Sequence, residues 1–311
     1  METLEIDLLE GIMLNGVKQW VYIRSKNKEN PVLLFLHGGP GFPGIAAAQA
    51  YQSGLENKFT VVQWDQRGAG KSYSPTIPKE SMNVNQFISD LYELVKYLNN
   101  TLNCKKVYLM GHSWGAMLGI LAVKKHPELF HCFIGIGQSV NQKLASEARL
   151  PFLLEEAKKC GDLEAIQKIE ESKGWGFFEY EYSVKFGGAF YGKSDTNQLG
   201  NVFWGINTLY TDIEKQSIPN GLEFSEESLW DEISTINLME TACQVNIPVL
   251  FLSGKHDKLC PTEVVTKYYE ALEAPAKKIL YFEKSAHFPF LEENEYFCKI
   301  INGIDQMLLT K

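Results

Sequence analysis

The sequence predicts an α/β fold in which a mostly parallel sheet is covered by helices on both faces. Short apolar runs with the character of buried strands alternate with stretches in which apolar residues recur at helical spacing. Several of the apolar runs end in glycine, proline or aspartate, where a strand gives way to a turn. This alternation is typical of parallel strands that are joined by helical crossovers.

Strand signals are concentrated in the N-terminal half and return near the C-terminus. Residues 17–24 alternate apolar and polar side chains, as a half-exposed strand does. Continuous apolar runs predict buried strands at residues 32–36, 59–64, 107–110, 130–136, 248–252 and 279–282. Helical spacing predicts helices at residues 84–98, 114–123, 263–272 and 293–309.

The stretch from residue 140 to residue 236 interrupts this pattern, because it lacks clear buried strands. Charged helical runs at 147–160 and 163–173 lead into a segment rich in aromatic residues and glycine. A gap of this length between sheet strands needs structure of its own. We predict a discontinuous core domain of residues 1–139 and 237–311, and a mainly helical cap of residues 140–236 whose aromatic residues partly line a pocket. The alternative is an ordinary helical layer of the core.

The composition argues against several classes of protein. The formal net charge is −8 and no basic stripe is visible, so a nucleic-acid partner is not expected. The six cysteines are far apart, with no C-x-x-C pair and no H-E-x-x-H motif, so we expect neither a metal nor a cofactor. No secretory signal and no apolar stretch of about 20 residues occurs, so we expect a cytoplasmic protein without a membrane partner.

The clearest chemical signal is a serine between a predicted strand and a predicted helix. The motif Gly-His-Ser-Trp-Gly spans residues 111–115 and is centred on Ser113. A nucleophilic serine of this kind needs a sharp strand-to-helix turn that exposes its hydroxyl, and only small flanking residues fit beside it. Ser113 is therefore the predicted nucleophile. The N-terminus of the following helix favours negative charge near it.

A second signal is the glycine-rich turn at residues 37–41, which follows the predicted strand 32–36. Acyl transfer needs two N–H donors for the oxyanion that develops in the transition state. We assign one donor to Trp114 and the other to the turn of Gly38 and Gly39, with Gly39 favoured. The alternative is a turn that only reverses the chain.

The base and its orienting acid are expected after the serine, in the order serine, acid, histidine. Asp257 follows the predicted strand 248–252, and His287 follows the predicted strand 279–282. Open α/β sheets place their sites at these C-terminal strand ends. We predict that Asp257 orients His287, which acts as general base toward Ser113. The only rival base, His256, precedes the acid in the chain.

The segment Gly68-Ala-Gly-Lys-Ser72 is similar to the end of a phosphate-binding loop. That motif requires a glycine five positions before Gly70, and Asp65 stands there instead. A nucleotide site is therefore not expected.

Three motifs together resemble the proline iminopeptidase branch of the α/β-hydrolases. They are His-Gly-Gly-Pro-Gly at 37–41, Asp-Gln-Arg-Gly-Ala-Gly-Lys-Ser at 65–72 and Gly-His-Ser-Trp-Gly at 111–115. The resemblance covers both halves of the predicted sheet domain, and it implies an α/β-hydrolase fold with an inserted helical cap. It also implies that Ser113, Asp257 and His287 form the triad, and that Arg67 is a structural residue beneath the site.

The resemblance further implies release of an N-terminal proline from a short peptide whose amine is bound by cap acids. The Trp-x-x-Trp-Glu pattern typical of these caps is absent, and the nearest stretch is residues 203–208. The candidate acids are Glu179, Glu181, Asp212 and Glu214. We expect a serine hydrolase that forms an acyl-enzyme from small amides or esters, such as N-terminal residues of short peptides. The alternatives are a carboxylesterase, an acyltransferase on the same fold and, less favoured, a ligand receptor that keeps the triad.

Overall fold

The computed structural model describes residues 4–171, 177–192 and 208–309. This part of the chain contains an eight-stranded sheet with the order β1-β2-β4-β3-β5-β6-β7-β8. The strands are β1 Ile6–Leu14, β2 Val17–Ser25, β3 Val32–Leu36, β4 Thr60–Asp65, β5 Val107–His112, β6 Phe130–Ile136, β7 Val249–Gly254 and β8 Lys277–Phe282. Strand β2 pairs antiparallel with β1 and with β4, and the other neighbouring pairs are parallel. The predicted mostly parallel sheet is confirmed.

The described residues also form a series of helices. They are α1 Gly44–Tyr51, α2 Val84–Thr101, α3 Trp114–Lys125, α4 Gln142–Cys160, α5 Leu163–Glu171, α6 Phe177–Lys185, α7 Asp212–Thr235, α8 Leu238–Thr241, α9 Thr262–Ala271, α10 Pro289–Glu292, α11 Asn294–Asn302 and α12 Ile304–Leu309. No helix within the described ranges is long and apolar enough to cross a bilayer.

The prediction of one continuous helix at 293–309 was wrong, because the chain forms α11 and α12 there as separate helices. Glu293 has φ −128° and ψ 50°, which is outside the helical region and separates α11 from α10. Gly303, with φ −99° and ψ 9°, ends α11 before α12 begins. Helical spacing of apolar residues does not show such breaks.

The centre of the sheet is buried on both faces. Leu34 and Leu36 of β3 pack into a cluster formed with α2, α3 and α9. Leu33 and Phe35 point the other way, into a cluster formed with α1 and α11. Because helices cover both faces, β3 has no polar face, and its uninterrupted apolar run is the expected sequence for such a strand.

Helices α4 to α7 lie between β6 and β7 in the chain, within the segment predicted to be a cap. Helix α7 rests directly on loops of the sheet domain at two small residues, Gly221 and Ser225. A Cβ atom at Gly221 would lie 2.8 Å from the Gly68 carbonyl oxygen, and one at Gly41 would lie 3.0 Å from the Ser225 Cβ. The Ser225 hydroxyl also donates to the Gly68 carbonyl at 3.2 Å.

Candidate active site

Ser113 occupies a strained turn between β5 and α3. Its backbone angles are φ 55° and ψ −114°, in a region that residues other than glycine rarely adopt. A Cβ atom at Gly111 would lie 2.3 Å from the Gly115 carbonyl oxygen, and one at Gly115 would lie 2.2 Å from the Leu36 carbonyl oxygen. Close backbone approach therefore requires both glycines, and the turn holds Ser113 where β5 ends.

Asp257 and His287 form a buried hydrogen-bonded pair. The Asp257 Oδ2 atom lies 2.8 Å from Nδ1 of His287, and both residues are buried. The other carboxylate oxygen accepts hydrogen bonds from the N–H groups of Leu259 and Cys260, each at 2.8 Å. A carboxylate fixed in this way accepts a hydrogen bond from a protonated Nδ1, which leaves Nε2 of the ring able to accept a proton.

Ser113, His287 and Cys260 line the same cavity. A Cβ atom at Gly137 would lie 3.0 Å from the His287 ring, so the imidazole packs directly against the backbone that follows β6. Burial raises the pKa of the Cys260 thiol, so it stays protonated. The sequence analysis missed Cys260, because only the fold brings it beside Ser113.

The residues assigned to the oxyanion site surround Ser113 in this cavity. Gly38, Gly39 and Trp114 all line it, and a Cβ atom at Gly38 would lie 3.3 Å from the Ser113 Cβ. Gly39 has φ 115°, a conformation that glycine adopts without strain. The Trp114 N–H belongs to the first turn of α3, where N–H groups have no carbonyl partner within the helix. These backbone groups can stabilise negative charge near Ser113.

The remaining histidines near the site have structural hydrogen bonds. His256 Nε2 lies 3.2 Å from the Glu283 carbonyl oxygen, and its ring contacts that of Tyr191 at a centroid distance of 4.2 Å, so it does not compete with His287 for Asp257. His37 Nε2 accepts a hydrogen bond from the Gln66 N–H at 3.0 Å, and burial lowers the pKa of His37 to about 4. The imidazole of His37 is therefore neutral near pH 7.

The cavity between the sheet domain and the insertion has a volume of about 730 Å³. The sheet domain contributes an apolar wall that includes Phe35, Ala47, Tyr51, Phe288 and Phe290. The insertion contributes apolar residues from α6 and α7 and three carboxylates, namely Tyr180, Pro219, Leu222, Glu223, Glu226, Glu227, Trp230 and Ile233. The prediction that aromatic residues of the insertion line a pocket is confirmed for Tyr180.

None of the four acids proposed from the sequence lines this cavity. Glu179 is buried in an ion pair with Arg149, at 2.6 Å. Glu181 and Asp212 lie on the exposed surface. Glu214 belongs to the capping box that begins α7 and binds the Lys71 ammonium with both oxygens at 2.7 Å.

The acids that do face the cavity are Glu223, Glu226 and Glu227. They lie three and four positions apart on α7, so they share one helical face with Trp230. Partial burial raises the pKa of the Glu226 carboxyl above its ordinary value. The spacing alone could have revealed this face, but Pro219 and Gly221 obscured the helix in the sequence.

Arg67 and Lys71, two residues of the motif at 65–72, both form ion pairs. Arg67 is buried and donates to the Asp90 carboxylate through Nε at 2.8 Å and Nη2 at 3.0 Å. Lys71 is bound to Glu214 and does not line the cavity. No cluster of metal-ligating side chains is present among the residues that the structure describes.

Residues 31–294 match the family model of the alpha/beta hydrolase fold. The chain belongs to the α/β-hydrolase family. It is 34% identical to the probable aminopeptidase YbaC of Bacillus subtilis, over 97% of each chain. The proline iminopeptidase of Heyndrickxia coagulans is 24% identical over 89% of this chain and 91% of its own. These relatives place the chain in the proline iminopeptidase-like branch, and the protein is a hydrolytic enzyme.

Solved structures show the same fold at lower sequence identity. The proline iminopeptidase of Mycobacterium smegmatis aligns with a TM-score of 0.67 at 16% identity, over 96% of this chain and 98% of that chain. An esterase from Exiguobacterium antarcticum aligns with a TM-score of 0.63 at 18% identity, over 96% of this chain and all of its own. A protein named proline iminopeptidase and a protein named esterase therefore share this fold.

Proposed function

We propose that the protein is a serine hydrolase in which Ser113 is the nucleophile, His287 the general base and Asp257 the residue that orients it. The observation that carries this proposal is the 2.8 Å contact between Asp257 Oδ2 and His287 Nδ1, in a cavity that Ser113 also lines. An acid, a base and a strained serine, each following the C-terminal end of a parallel strand (β7, β8 and β5), are the components that acyl transfer requires.

The reaction begins when Ser113 Oγ attacks the carbonyl carbon of the substrate and its proton passes to Nε2 of His287. The carbonyl π electrons move onto oxygen, and the N–H groups of Trp114 and of the Gly38–Gly39 turn stabilise that charge. The bond to the leaving group then breaks, and the leaving group takes the proton from His287. Water next attacks the acyl-enzyme, gives a proton to His287, and the proton returns to Ser113 Oγ as the acid leaves.

The cavity favours a substrate that combines a positive charge with an apolar group. Glu223, Glu226 and Glu227 supply carboxylates, and no lysine or arginine is found among the described residues that line the cavity. Aromatic and aliphatic side chains form the wall of the sheet domain. A peptide with a protonated N-terminus and an apolar first residue suits both walls, because the amine pairs with acid and the side chain is buried. The aminopeptidase and proline iminopeptidase names of the relatives support the same substrate class.

We also propose that residues 140–236 act as a cap on a core of residues 1–139 and 237–311. Helices α6 and α7 supply Tyr180 and Trp230 to the cavity, while the chain returns from α8 to the sheet at β7. A cap of this kind excludes water from the acyl-enzyme until the leaving group has departed.

The first experiment compares wild type with Ser113→Ala on proline, alanine and leucine arylamides and on p-nitrophenyl acetate and butyrate. We expect Ser113→Ala to lose at least about 10³-fold in kcat, and to lose labelling by a fluorophosphonate. Circular dichroism of both proteins establishes that the variant is folded. Hydrolysis that persists in Ser113→Ala would refute the proposed nucleophile.

A second experiment tests the carboxylates of the cavity. Glu226→Gln should raise KM for aminoacyl arylamides about tenfold or more, because a positive amine loses its partner, and should leave KM for p-nitrophenyl butyrate unchanged. Glu181→Gln is the matched control, since Glu181 lies on the exposed surface of α6. Equal KM values for Glu226→Gln and wild type on the arylamides would exclude Glu226 as the amine partner.

The apolar wall of Phe35, Tyr51 and Phe290 favours a second candidate, a carboxylesterase for uncharged acyl groups. Such an enzyme would hydrolyse the p-nitrophenyl esters and not the arylamides, and Glu226→Gln would then have no effect. Product analysis with an added alcohol distinguishes an acyltransferase, which would form a new ester. A ligand receptor would bind its ligand without hydrolysing it, and that binding would not require Ser113.

A further inference from the structure

The carboxylate of Glu292, the last residue of α10, binds the backbone on both sides of His287. Its Oε2 atom accepts hydrogen bonds from the N–H of Ala286 at 2.9 Å and from the N–H of Phe288 at 3.2 Å. Its Oε1 atom accepts a hydrogen bond from the N–H of Tyr191, at 2.7 Å. One side chain therefore joins the loop of the proposed base to the insertion.

The backbone next to Tyr191 binds His287 and the residue that follows Asp257. The Ala189 carbonyl accepts the N–H of His287 at 3.0 Å, and the Gly188 carbonyl accepts the N–H of Lys258, beside Asp257, at 2.9 Å. Two consecutive carbonyl groups of the insertion thus bind the loop that contains the acid and the loop that contains the base. The distance between the acid and the base depends on where this segment lies.

Arg149 of α4 fixes the acid loop from the insertion as well. It donates to the carbonyl oxygens of Lys258 and Leu259, at 2.5 and 2.8 Å, and its ion pair with Glu179 is buried. The acid loop is therefore held to the insertion by side-chain and backbone contacts. The loop of His287 is also held to the insertion by a side chain, and that side chain is Glu292.

We propose that Glu292 is a positioning residue, which fixes the His287 ring against Asp257 by holding the loop of the base to residues 188–191 of the insertion. The inference rests on the proposed function, because it assigns His287 as the base. Misplacement of a reacting group by about 1 Å costs about 100-fold in rate. Loss of Glu292 should therefore lower kcat rather than substrate binding.

The neighbouring residue Glu293 provides a matched control. Its carboxylate binds the same loop two and three residues before His287, at the N–H of Lys284 at 2.9 Å and the hydroxyl of Ser285 at 2.7 Å. Glu293 thus supports the loop in a similar way, but these contacts do not flank His287 and do not reach the insertion. Both glutamates stabilise the loop, so a loss of activity that came only from a less stable loop should occur in variants of either residue.

The experiment measures kcat and KM for p-nitrophenyl acetate, the rate of fluorophosphonate labelling and the thermal midpoint of wild type, Glu292→Ala, Glu292→Gln and Glu293→Ala. We expect Glu292→Ala to lower kcat and the labelling rate by about 10- to 100-fold, with KM within about twofold of wild type. Glu292→Gln should recover part of the loss, since one amide oxygen can still accept the N–H groups beside His287. Glu293→Ala should keep kcat within about threefold.

Equal losses of kcat in Glu292→Ala and Glu293→Ala would overturn the proposal, and so would a change in KM alone. If Glu292→Ala does not fold, Glu292→Gln and Glu293→Gln make the same comparison, and equal kcat values for those two would also overturn it. The proposed function fails in a different way, by activity that survives in Ser113→Ala.

Discussion

The Tyr210 hydroxyl, in the insertion, donates a hydrogen bond to the carboxylate of Asp65, at the end of strand β4. The same carboxylate accepts the N–H of Lys71 at 2.9 Å and the N–H of Ile45 at 3.0 Å. Asp65 thus joins α1, the turn after β4 and the part of the insertion that leads into α7. Burial raises the pKa of Asp65 from 3.8 to about 6, even though these donors act in the opposite direction.

Removal of the Tyr210 hydroxyl should weaken this junction. Tyr210→Phe leaves the buried carboxylate with one donor fewer, which costs about 1–3 kcal/mol of unfolding free energy. Urea denaturation measures the loss, and Tyr296→Phe is the control because Tyr296 is 45% exposed. Equal midpoints for the two variants would contradict the stabilising role of the hydrogen bond.

The raised pKa of Asp65 predicts a specific dependence of stability on pH. The folded state binds the carboxyl proton more tightly than the unfolded state, so the stabilising contribution is complete below about pH 4. It is lost as the pH rises through about 6. The unfolding free energy of wild type minus that of Asp65→Asn should therefore decrease by up to about 3 kcal/mol over this range.

Urea denaturation at several pH values between 4 and 7 tests this dependence on Asp65. The Tyr210 hydrogen bond lowers the pKa of Asp65, so Tyr210→Phe should extend the decrease to higher pH. A difference between wild type and Asp65→Asn that stays constant with pH would show that the carboxyl does not titrate in this range.

Removal of one partner of the buried Arg67–Asp90 ion pair should lower the unfolding free energy strongly. Their side chains are 2% and 0% exposed, and removal of one partner leaves an uncompensated charge. Arg67→Met should destabilise the fold by about 3–5 kcal/mol, whereas Arg67→Met combined with Asp90→Leu should cost less than the sum of the single changes. A double-mutant cycle measures the coupling, and additive losses would mean that the two charges do not stabilise each other.

The close approach of Gly115 to the backbone after β3 predicts that no side chain is tolerated there. A Cβ atom would lie 2.2 Å from the Leu36 carbonyl oxygen, which cannot move without shifting β3. Gly115→Ala should cost more than about 3 kcal/mol or prevent folding. Gly11→Ala is the control, because the added Cβ meets the flexible end of Lys18 at 2.3 Å and that side chain can rotate away.

The predictable parts of the fold are the elements whose burial produces a simple pattern of apolar residues in the sequence. Strand β3 is apolar at every position because both of its faces are covered, and its predicted ends coincide with the observed ones. Strand β1 was missed, although the Asn15-Gly16 pair before β2 marks a tight hairpin and both residues have positive φ. Helix α1 was missed because it is buried around most of its surface and therefore lacks an apolar stripe.

The proposed catalytic residues were accessible from the sequence because strand ends and chain order constrain them. The acids of the cavity were missed, because Pro219 and Gly221 obscured helix α7, whose face brings Glu226 into the cavity that Ser113 lines. Glu292 was also missed, since its contacts are to backbone N–H groups, which carry no sequence signal. Trp175, Phe203 and Trp204, also expected in the cap, lie outside the described residues.

The position of the insertion before β7 has a consequence for the growing polypeptide. Strands β5 and β6, the serine turn and the glycine turn precede the insertion, while Asp257 and His287 follow the two strands added after it. Chains generally begin to fold from the N-terminus during synthesis. A nascent chain would thus carry its serine well before its base, and a product of interrupted translation would hold a serine that cannot attack.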